Sequence, residues 1–402
     1  MRIDEARELL SLEGLRLLDT IGPYGSGADV LRVSTRLRRE GHAPALIAAV
    51  LSQARLRERA ESKFGPFASR MLFTEAGLEQ STRLSVASLH AGRFRRLGAG
   101  TVADLGCGIG GDALALASVD LDVRAVERDE VTAAFAAYNL APFDDVRVQT
   151  GDAESADLTG VDAVYLDPAR RAPGHGARVR QAPADWSPSL DFAFGLGAQL
   201  PTGVKLSPGM DRELIPPGVE AQWVTVDGET IELLVWTGGL ARAGVSRAAF
   251  VTGAAGTVEM TADGPSPDPI SGPLGAFIHE PAGSVIRAEL IGALAERLDA
   301  TTVEPGIAYL TGDAPSPDPL AASFRIRDVL PFDERQLSRA LRDRGIGVLE
   351  IKKRGLDIDP AVLRKRLSLR GPESAALVLT KHKGKRLAVL CDRIRPEADG
   401  GD

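Results

Sequence analysis

The feature that most constrains this chain is a glycine-rich turn that follows a short apolar run. Between Thr101 and Asp112 the sequence reads TVADLGCGIGGD, with glycines at positions 106, 108, 110 and 111. An apolar run, a glycine-rich turn and a helix-compatible stretch predict a strand, a tight loop and a helix whose first N–H groups are open to a ligand. The spacing also satisfies the dinucleotide pattern G-x-G-x-x-G, so the glycines alone leave the ligand open.

Asp104, two residues before Gly106, favours one class of ligand. A strand that leads into a pyrophosphate turn is usually apolar up to its first glycine, because a carboxylate there would repel the phosphates. A carboxylate suits a positively charged ligand, and S-adenosylmethionine carries both an ammonium and a sulfonium. We therefore predict an S-adenosylmethionine site at Asp104, Gly106, Gly108 and Gly110. The alternative is that Asp104 only caps the following helix.

Three more acidic residues stand at the ends of the strands that follow. Glu127 ends an alternating run that begins at Asp122, where a carboxylate accepts hydrogen bonds from ribose hydroxyls. Asp152 follows a third run, where such a group meets the adenine amino group, and Asp167 follows a fourth. Each alone has a plain structural explanation, as a first-turn acid or a turn residue. Because they fall in order at consecutive strand ends, we interpret them as one ligand site on a doubly wound, Rossmann-like α/β sheet.

Composition excludes several classes of protein. The chain has 402 residues, enough for two or three domains, and 44% of them are hydrophobic, yet no apolar run is long enough for a membrane span. The charged N-terminus lacks a secretory signal and the two cysteines form no disulfide framework, so we expect a cytoplasmic protein without membrane contact. Five scattered histidines predict no metal site, and two cysteines cannot hold an iron–sulfur cluster.

Shifts in pattern divide the chain. We predict an N-terminal helical region (1–98), a cofactor-binding domain (99–240), a connecting α/β region (241–321), a basic α+β module (322–396) of β-α-β-α-β-β order and a short tail (397–402). The module has 19 basic and 9 acidic residues, a net charge of +10, although the whole chain carries −7. Such a field favours a nucleic-acid partner, the alternative being a solvated face. The residues expected to bind it are Lys352, Lys353, Arg354, Lys365, Arg366, Lys381 and Lys383.

The chain resembles the class I S-adenosylmethionine-dependent methyltransferases that carry a C-terminal THUMP-like domain, a bacterial group whose catalytic part is similar to RNA base methyltransferases. The resemblance covers nearly the whole chain. It includes LFTEAGLEQST (72–82), DLGCGIGGD (104–112), LDPARR (166–171), VKLSPGMD (204–211) and FIHEPAG (277–283). The resemblance implies methyl transfer to structured RNA, such as tRNA or rRNA, and leaves the acceptor nucleotide open.

The segment after the fourth strand departs from better-known relatives. Enzymes that methylate exocyclic amino groups usually have Asp or Asn, two prolines and an aromatic residue whose ring stacks on the base. Here Asp167 and Pro168 are followed by alanine and Arg170, so the acceptor-binding half is present and the ring is lost. A guanidinium can stack on a base instead, or only grip phosphate. We expect Asp167, Pro168 and Arg170 to form the catalytic segment and a base nitrogen to be the acceptor.

Two other functions stay open. One is methyl transfer to a protein or small molecule, with the basic module serving another acidic partner. The other is a non-catalytic RNA-binding protein that keeps the cofactor fold. The basic module argues against the first, and the complete set of strand-end acids argues against the second. Carbon-5 methylation of pyrimidines is not expected, since neither Cys107 nor Cys391 is near Asp167 in the sequence.

The pattern yields four local expectations. Residues 79–82 touch the cofactor or the target base, with surface polar residues of a helix as the alternative. The arginine-rich stretch after Arg170 lies over the active face and holds a nucleic-acid strand, with a solvated loop as the alternative. SVIRAELIGALAERL (284–298) forms one helix. His279, Glu280 and Pro281 form a turn and a cap that precede that helix.

Overall fold

The computed structural model describes residues 3–21, 27–170 and 186–394, with only the backbone described at residues 27, 28, 169 and 170. Contacts divide the chain into two compact units. The first comprises Met1–Leu206 with Val235–Ala241, and the second comprises Ser207–Leu234 with Arg242–Asp402. The finer division drawn from the sequence pattern stays a prediction. No helix in the described part of the chain is long and apolar enough to cross a membrane.

The first unit begins with helices, as the three- and four-residue spacing of its apolar residues predicts. The helices of this unit are α1 (Ile3–Leu9), α2 (Leu12–Asp19), α3 (Gly27–Arg39), α4 (Pro44–Phe64), α5 (Glu75–Gln80), α6 (Leu84–Leu97), α7 (Gly111–Ala117), α8 (Glu130–Leu140) and α9 (Leu190–Gly197). Side chains of α1, α2 and α4 share a core with Phe135 of α8, so the N-terminal helices pack against the sheet-associated part of the unit. Asp129 caps α8 by accepting the N–H of Thr132.

The strands of the first unit form the predicted parallel sheet. They are β1 (Thr101–Leu105), β2 (Asp122–Glu127), β3 (Val146–Thr150), β4 (Ala163–Leu166), β5 (Ala169–Arg170), β6 (Trp186–Ser187) and β7 (Thr202–Leu206). The order β7-β4-β1-β2-β3 is parallel throughout, and β5 and β6 form a separate antiparallel pair. After β1 the chain adds β2 and β3 on one side of the sheet, and after β4 it adds β7 on the other. The switch point therefore lies between β1 and β4, and ligands of doubly wound sheets bind at such a point. The prediction of this fold is confirmed.

The second unit is rich in strands. Its strands are β8 (Glu220–Val226), β9 (Glu229–Trp236, whose last two residues belong to the first unit), β10 (Arg247–Gly253), β11 (Gly256–Ala262), β12 (Phe277–Pro281), β13 (Thr301–Glu304), β14 (Ile307–Gly312), β15 (Ala321–Pro331), β16 (Ile346–Lys353), β17 (Glu373–His382) and β18 (Lys385–Arg393). Its helices are α10 (Gly283–Arg287), α11 (Ile291–Arg297), α12 (Glu334–Asp343) and α13 (Pro360–Leu367). One sheet has the order β13-β14-β12-β15-β18-β17-β16, and β11-β10-β8-β9 are neighbours in another.

The C-terminal part of this unit has the predicted β-α-β-α-β-β order. Its sheet has a core on each side. Leu377 and Leu379 of β17 pack with α12 and α13, whereas the alternate residues Ala376 and Val378 pack with residues of β12 and β14 on the other side. Side chains alternate along β17, and paired residues of parallel strands lie on the same side of the sheet. The register of β16 against β17 therefore decides which residues of β16 face the helices.

The expectation of one helix over residues 284–298 is wrong. α10 ends at Arg287 and α11 begins at Ile291, because Glu289 has φ of +58° and cannot continue a helix. The carbonyl of Glu289 accepts both the N–H and the hydroxyl of Ser266, at 2.9 and 3.0 Å. A segment more than twenty residues earlier therefore stabilises the break, which helical periodicity alone does not reveal.

The expectation of a turn at His279, Glu280 and Pro281 is also wrong. These residues belong to β12, which pairs with β14 and β15. His279 is fully buried, and its Nδ1 lies 3.0 Å from the hydroxyl of Ser323. Pro281 is tolerated because the pairing with β14 ends at His279, so that Pro281 has a neighbouring strand, β15, on one side only.

Candidate cofactor and acceptor site

The turn between β1 and α7 has the backbone that its glycines predict. Gly106, Gly108 and Gly110 have φ of +88°, +56° and +85°, a left-handed region that residues with a Cβ rarely adopt. The N–H groups of Gly106 and Cys107 both bond the carbonyl of Val126, at 2.8 and 3.1 Å. The turn is thus attached to the end of β2, and its backbone lies at the carboxyl edge of the sheet.

Glu127, the last residue of β2, is part of the same structure. Its Oε2 accepts the N–H of Gly108 at 3.1 Å, and its Oε1 accepts the N–H of Asp129 at 2.8 Å. The side chain is half-buried and held in one orientation beside the turn. A carboxylate fixed there can accept the hydroxyls of a ribose, which is the role predicted for Glu127.

Asp104 is the least satisfied group of this site. Its side chain is 1% exposed, and neither carboxylate oxygen has a hydrogen-bond partner among the described residues. Burial, together with the negative charges of Asp112 and Asp167, raises the pKa of Asp104 well above its ordinary value. A buried carboxylate without donors costs free energy unless a cation meets it. The ammonium and sulfonium of S-adenosylmethionine fit this requirement, whereas a pyrophosphate does not.

Asp112, in the first turn of α7, anchors a buried cluster that the sequence did not indicate. Its Oδ2 accepts the hydroxyl of Thr82 at 2.8 Å, and its Oδ1 lies 3.1 Å from Nδ1 of His90. Burial acts to raise the pKa of Asp112, but these hydrogen bonds and the charge of Lys205 hold it below its usual value. His90 also lies 3.3 Å from the hydroxyl of Tyr165 on β4. The cluster joins α6, α7 and β4 beneath the turn.

Asn139 of α8 holds the turn from the other side. Its Nδ2 donates to the carbonyls of Ile109 and Leu72, at 2.9 and 3.0 Å, and its Oδ1 accepts the N–H of Leu72 at 2.7 Å. Gly77 of α5 approaches the same turn so closely that a Cβ would lie 2.6 Å from Ile109. The segment before α6 is therefore packed directly on the cofactor turn.

Asp152 lies where the sequence placed it, after β3, but it is exposed. Its Oδ1 accepts the N–H of Glu154 at 2.8 Å and begins a short 3₁₀ turn at Ala153–Ser155. This is the plain turn role that the sequence also allowed. A contact of Asp152 with adenine stays a prediction.

Asp167 follows β4 directly, next to the cofactor turn. Gly106 is so near that a Cβ on it would lie 3.7 Å from the carbonyl oxygen of Asp167. Oδ2 of Asp167 lies 2.5 Å from Nζ of Lys205 on β7, an ion pair that was not predicted from the sequence. Pro168 is buried. The backbone of Arg170 belongs to β5, but its side chain and the arginine-rich stretch 171–185 lie outside the described residues.

The segment 79–82 contacts this site through the hydroxyl of Thr82 and through its backbone. Gln80 lies at the end of α5, and its carbonyl oxygen is 3.4 Å from Nζ of Lys205. Nζ of Lys63 donates to the carbonyls on either side, those of Leu78, Glu79 and Ser81, at 2.8 Å each. Contact of this segment with the cofactor or the base stays a prediction.

The seven basic residues expected to bind nucleic acid do not share one surface. Lys353 is in register with Leu379 and so lies on the helix-covered side of the sheet, whereas Lys352 is in register with Val378 on the other side. Nζ of Lys352 is 2.9 Å from Glu280, and Arg354 is 3.8 Å from the same carboxylate. Three further residues, Lys365, Arg366 and Lys383, are exposed, and Lys381 is half-buried.

No cluster of His, Cys, Asp or Glu in the described part of the chain is arranged to hold a metal ion. The thiol of Cys107 is buried inside the cofactor turn, and burial raises its pKa well above the ordinary value. A protonated, enclosed thiol is a poor nucleophile, and the absence of cysteine chemistry stays a prediction.

Comparison with known proteins agrees with this geometry. A family described as "THUMP domain-like" matches residues 321–393, and one described as "Domain of unknown function" matches residues 2–60. The crystal structure of a protein from Porphyromonas gingivalis W83, described as a methyltransferase, covers 93% of this chain and 100% of its own with a TM-score of 0.71. At 22% sequence identity this likeness concerns the fold.

A curated relative shows the family. An uncharacterized S-adenosylmethionine-dependent methyltransferase of Mycobacterium tuberculosis, in strains CDC 1551 / Oshkosh and ATCC 25618 / H37Rv, is 35% identical over 360 residues. The match covers 86% of this chain and 95% of the relative. The chain thus belongs to the S-adenosylmethionine-dependent methyltransferases, with S-adenosylmethionine as its cofactor and a THUMP-like domain at its C-terminus.

Proposed function

We propose that this enzyme methylates a base nitrogen in structured RNA, such as tRNA or rRNA, and that its basic C-terminal module binds that RNA. The observation that carries the proposal is the contrast in charge along the chain. Residues 322–396 carry a net charge of +10, whereas the rest of the chain carries −17. An acidic enzyme with a strongly basic module fits an anionic polymer better than a small neutral substrate.

In this proposal, each acidic side chain around the turn binds a different part of the cofactor. Asp104 meets the positive charge, Glu127 accepts the ribose hydroxyls, and Asp152 accepts the adenine amino group. Gly106, Gly108 and Gly110 let the ligand approach the backbone. When bound, S-adenosylmethionine supplies a methyl group that is already activated by its sulfonium. The protein then has to align the acceptor and exclude water.

Asp167 receives the acceptor nitrogen in this proposal. It stands at the switch point beside the cofactor turn, and its carboxylate is an acceptor of hydrogen bonds. An N–H of the base that donates to Asp167 turns the nitrogen lone pair away from ring conjugation and toward the methyl group. We propose that Pro168 fixes the backbone there and that Arg170 contacts the base or an adjacent phosphate.

The RNA surface that we propose lies on the helix-covered side of the module. Lys353 and Lys381 belong to that side of the sheet, and α13 contributes Lys365 and Arg366. Lys383 lies at the turn between β17 and β18. We do not include Lys352 and Arg354 in this surface, because both lie within ion-pair distance of Glu280 in the second unit.

The direct test is mass spectrometry of nucleosides from the RNA of a strain that lacks the gene, compared with the parent strain. We expect one N-methylated nucleoside to disappear and to return when the purified enzyme and S-adenosylmethionine are added to the RNA. Asp167→Ala should fail to restore it, whereas the matched control Asp145→Ala, an exposed carboxylate between α8 and β3, should restore it. Identical nucleoside profiles in the two strains, or a C-methylated pyrimidine as the product, would contradict the proposal.

A further inference from the structure

Strand register brings Lys205 to Asp167. In the parallel pair of β4 and β7, Leu166 is opposite Val204, so the next residue on each strand, Asp167 and Lys205, leaves the sheet on the same side. Their side chains are 32% and 12% exposed, and Nζ lies 2.5 Å from Oδ2. The ion pair is thus mostly enclosed and stands at the carboxyl edge of the sheet, next to the cofactor turn.

The same ammonium reaches the end of α5. Nζ of Lys205 is 3.4 Å from the carbonyl oxygen of Gln80, and Nζ of Lys63 takes the carbonyls of residues 78, 79 and 81. Four successive carbonyls at the negative end of a helix are therefore each met by a lysine. The pKa of Lys63 is lowered to about 8, mainly by burial and next by the positive charge of Lys205.

Other charged groups surround the pair. The positive charge of Lys205 acts to lower the pKa of Asp104 on β1 and of Asp112 on α7, whereas the negative charge of Asp167 acts to raise that of Asp104. Lys63 of α4 faces Lys205 with the same sign. Lys205 thus places a positive charge among three carboxylates, Asp104, Asp112 and Asp167, that repel one another.

We propose that Lys205 is a positioning residue for methyl transfer, which holds Asp167 ionised and fixed against the end of α5. This inference rests on the proposed role of Asp167 as the acceptor of a substrate N–H. A protonated Asp167 would present a donor toward the base in place of an acceptor. Lys205 therefore keeps the acceptor site competent down to lower pH than the carboxylate of Asp167 would allow without it.

A purely structural ion pair would behave differently. If Lys205 only stabilises the fold, its replacement lowers stability and turnover equally at every pH at which the protein is folded. If Lys205 holds Asp167 ionised, its replacement raises the pKa of Asp167, so that turnover falls at acid pH and recovers as the pH rises. Lys205→Met removes the ammonium and keeps most of the stem, and Lys205→Arg keeps the charge.

The first measurement is transfer of labelled methyl from S-adenosylmethionine to total RNA of the gene-deletion strain, between pH 5.5 and 9. For Lys205→Met we expect kcat at pH 6 to fall by about tenfold or more, with partial recovery by pH 8.5 and little change in KM for RNA. Lys205→Arg should stay near the wild-type profile. Lys63→Met is the matched control, because it removes an ammonium from the same helix end without touching Asp167, and it should lower stability without an acid limb.

The second measurement does not need the RNA. Aspartate labelled with ¹³C at the carboxyl carbon is titrated by NMR in the full-length protein, and Asp167→Asn identifies the signal of Asp167. The pKa of Asp167 should be higher in Lys205→Met than in the wild type, and Lys205→Gln provides a second replacement if Lys205→Met does not fold. An unchanged pKa, or an unchanged pH profile of turnover, would overturn the inference. A raised pKa in an enzyme that methylates no RNA would refute the proposed function and leave the role of the pair intact.

Discussion

Gly108 donates its backbone N–H to Oε2 of Glu127 over 3.1 Å, so the turn after β1 and the end of β2 hold each other in place. The hydrogen bond connects a glycine needed for its backbone conformation with a carboxylate needed for its oxygens. A substitution at Glu127 therefore removes a group that binds the ligand and also releases a donor of the turn.

We expect Glu127→Ala to weaken binding of S-adenosylmethionine and of its demethylated product by roughly 1–3 kcal/mol, the usual loss for hydrogen bonds to a charged group. Isothermal titration calorimetry measures the binding free energy of each ligand. Glu130→Ala, an exposed acid in the first turn of α8, is the control and should bind as the wild type does. Equal affinity of Glu127→Ala and the wild type, or equal binding of NAD to the intact protein, would refute the assignment of this edge to the cofactor.

Asp167→Ala should separate chemistry from cofactor binding. We expect turnover to fall by about 10²-fold or more, the scale of losing one positioned polar group, with the affinity for S-adenosylmethionine nearly unchanged. Asp167→Asn should retain part of the activity, because its amide oxygen still accepts a hydrogen bond. Full activity of Asp167→Ala in a preparation of normal stability would show that the acceptor binds elsewhere.

Reversal of charge on the helix-covered side of the module should weaken RNA binding. For Lys353→Glu with Lys365→Glu we expect lower affinity for structured RNA and a less steep salt dependence, by roughly one unit of slope for each phosphate that the protein no longer neutralises. The control, Arg95→Glu with Arg96→Glu on α6, changes the net charge equally and should bind normally. Binding curves measured at several salt concentrations distinguish the two, and equal losses in both variants would indicate a general charge effect only.

Lys352→Glu should act on stability, because it places a second carboxylate beside Glu280 where the lysine now lies 2.9 Å away. A loss of the order of 1 kcal/mol is expected for a partly exposed pair of like charges. Thermal unfolding measures it, and the neutral Lys352→Gln should lose less stability, because it removes the ammonium without placing a new carboxylate beside Glu280 and Glu350. Equal stability of Lys352→Glu and the wild type would contradict the contact.

The buried carboxyl of Asp104 should make the cofactor-free protein less stable as the pH rises. Its pKa is raised in the folded state, so the folded protein binds more protons than the unfolded chain between the two pKa values. The stability contribution is complete below the ordinary pKa of an aspartate and is lost as the pH rises through the folded value. In chemical unfolding measured at several pH values above the ordinary pKa of an aspartate, Asp104→Asn should flatten this dependence, whereas Asp122→Asn at the exposed start of β2 should not.

The strand-end acids were predictable because each rests on local signals. The apolar run before Gly106, the alternation that ends at Glu127 and the proline after Asp167 mark strand ends within a few residues of chain. Parallel strands then bring those ends to one edge. The pairing of Lys205 with Asp167 leaves no such local signal, because it depends on the register of strands whose residues are 38 apart in the chain. The side of β16 on which Lys352 lies depends on register in the same way.

The errors have a similar cause. The break at Glu289 depends on Ser266, and the strand identity of Glu280 depends on pairing with β15. Periodicity and turn chemistry describe a residue and its immediate neighbours, so contacts contributed from elsewhere in the chain are absent from them. Where such contacts decide between a helix and two helices, or a turn and a strand, only the folded structure distinguishes the alternatives.

The side chain of Asn139 joins Leu72 to Ile109, so the sheet that begins at β1 cannot be separated from the segment before it without loss of these contacts. A truncated protein that starts at β1 would deprive the amide of Asn139 of both hydrogen bonds that it makes with the backbone of Leu72. Gln53 of α4 likewise exchanges two hydrogen bonds with the backbone of Phe73. The smallest fragment that keeps the cofactor turn in shape therefore begins within the helical region.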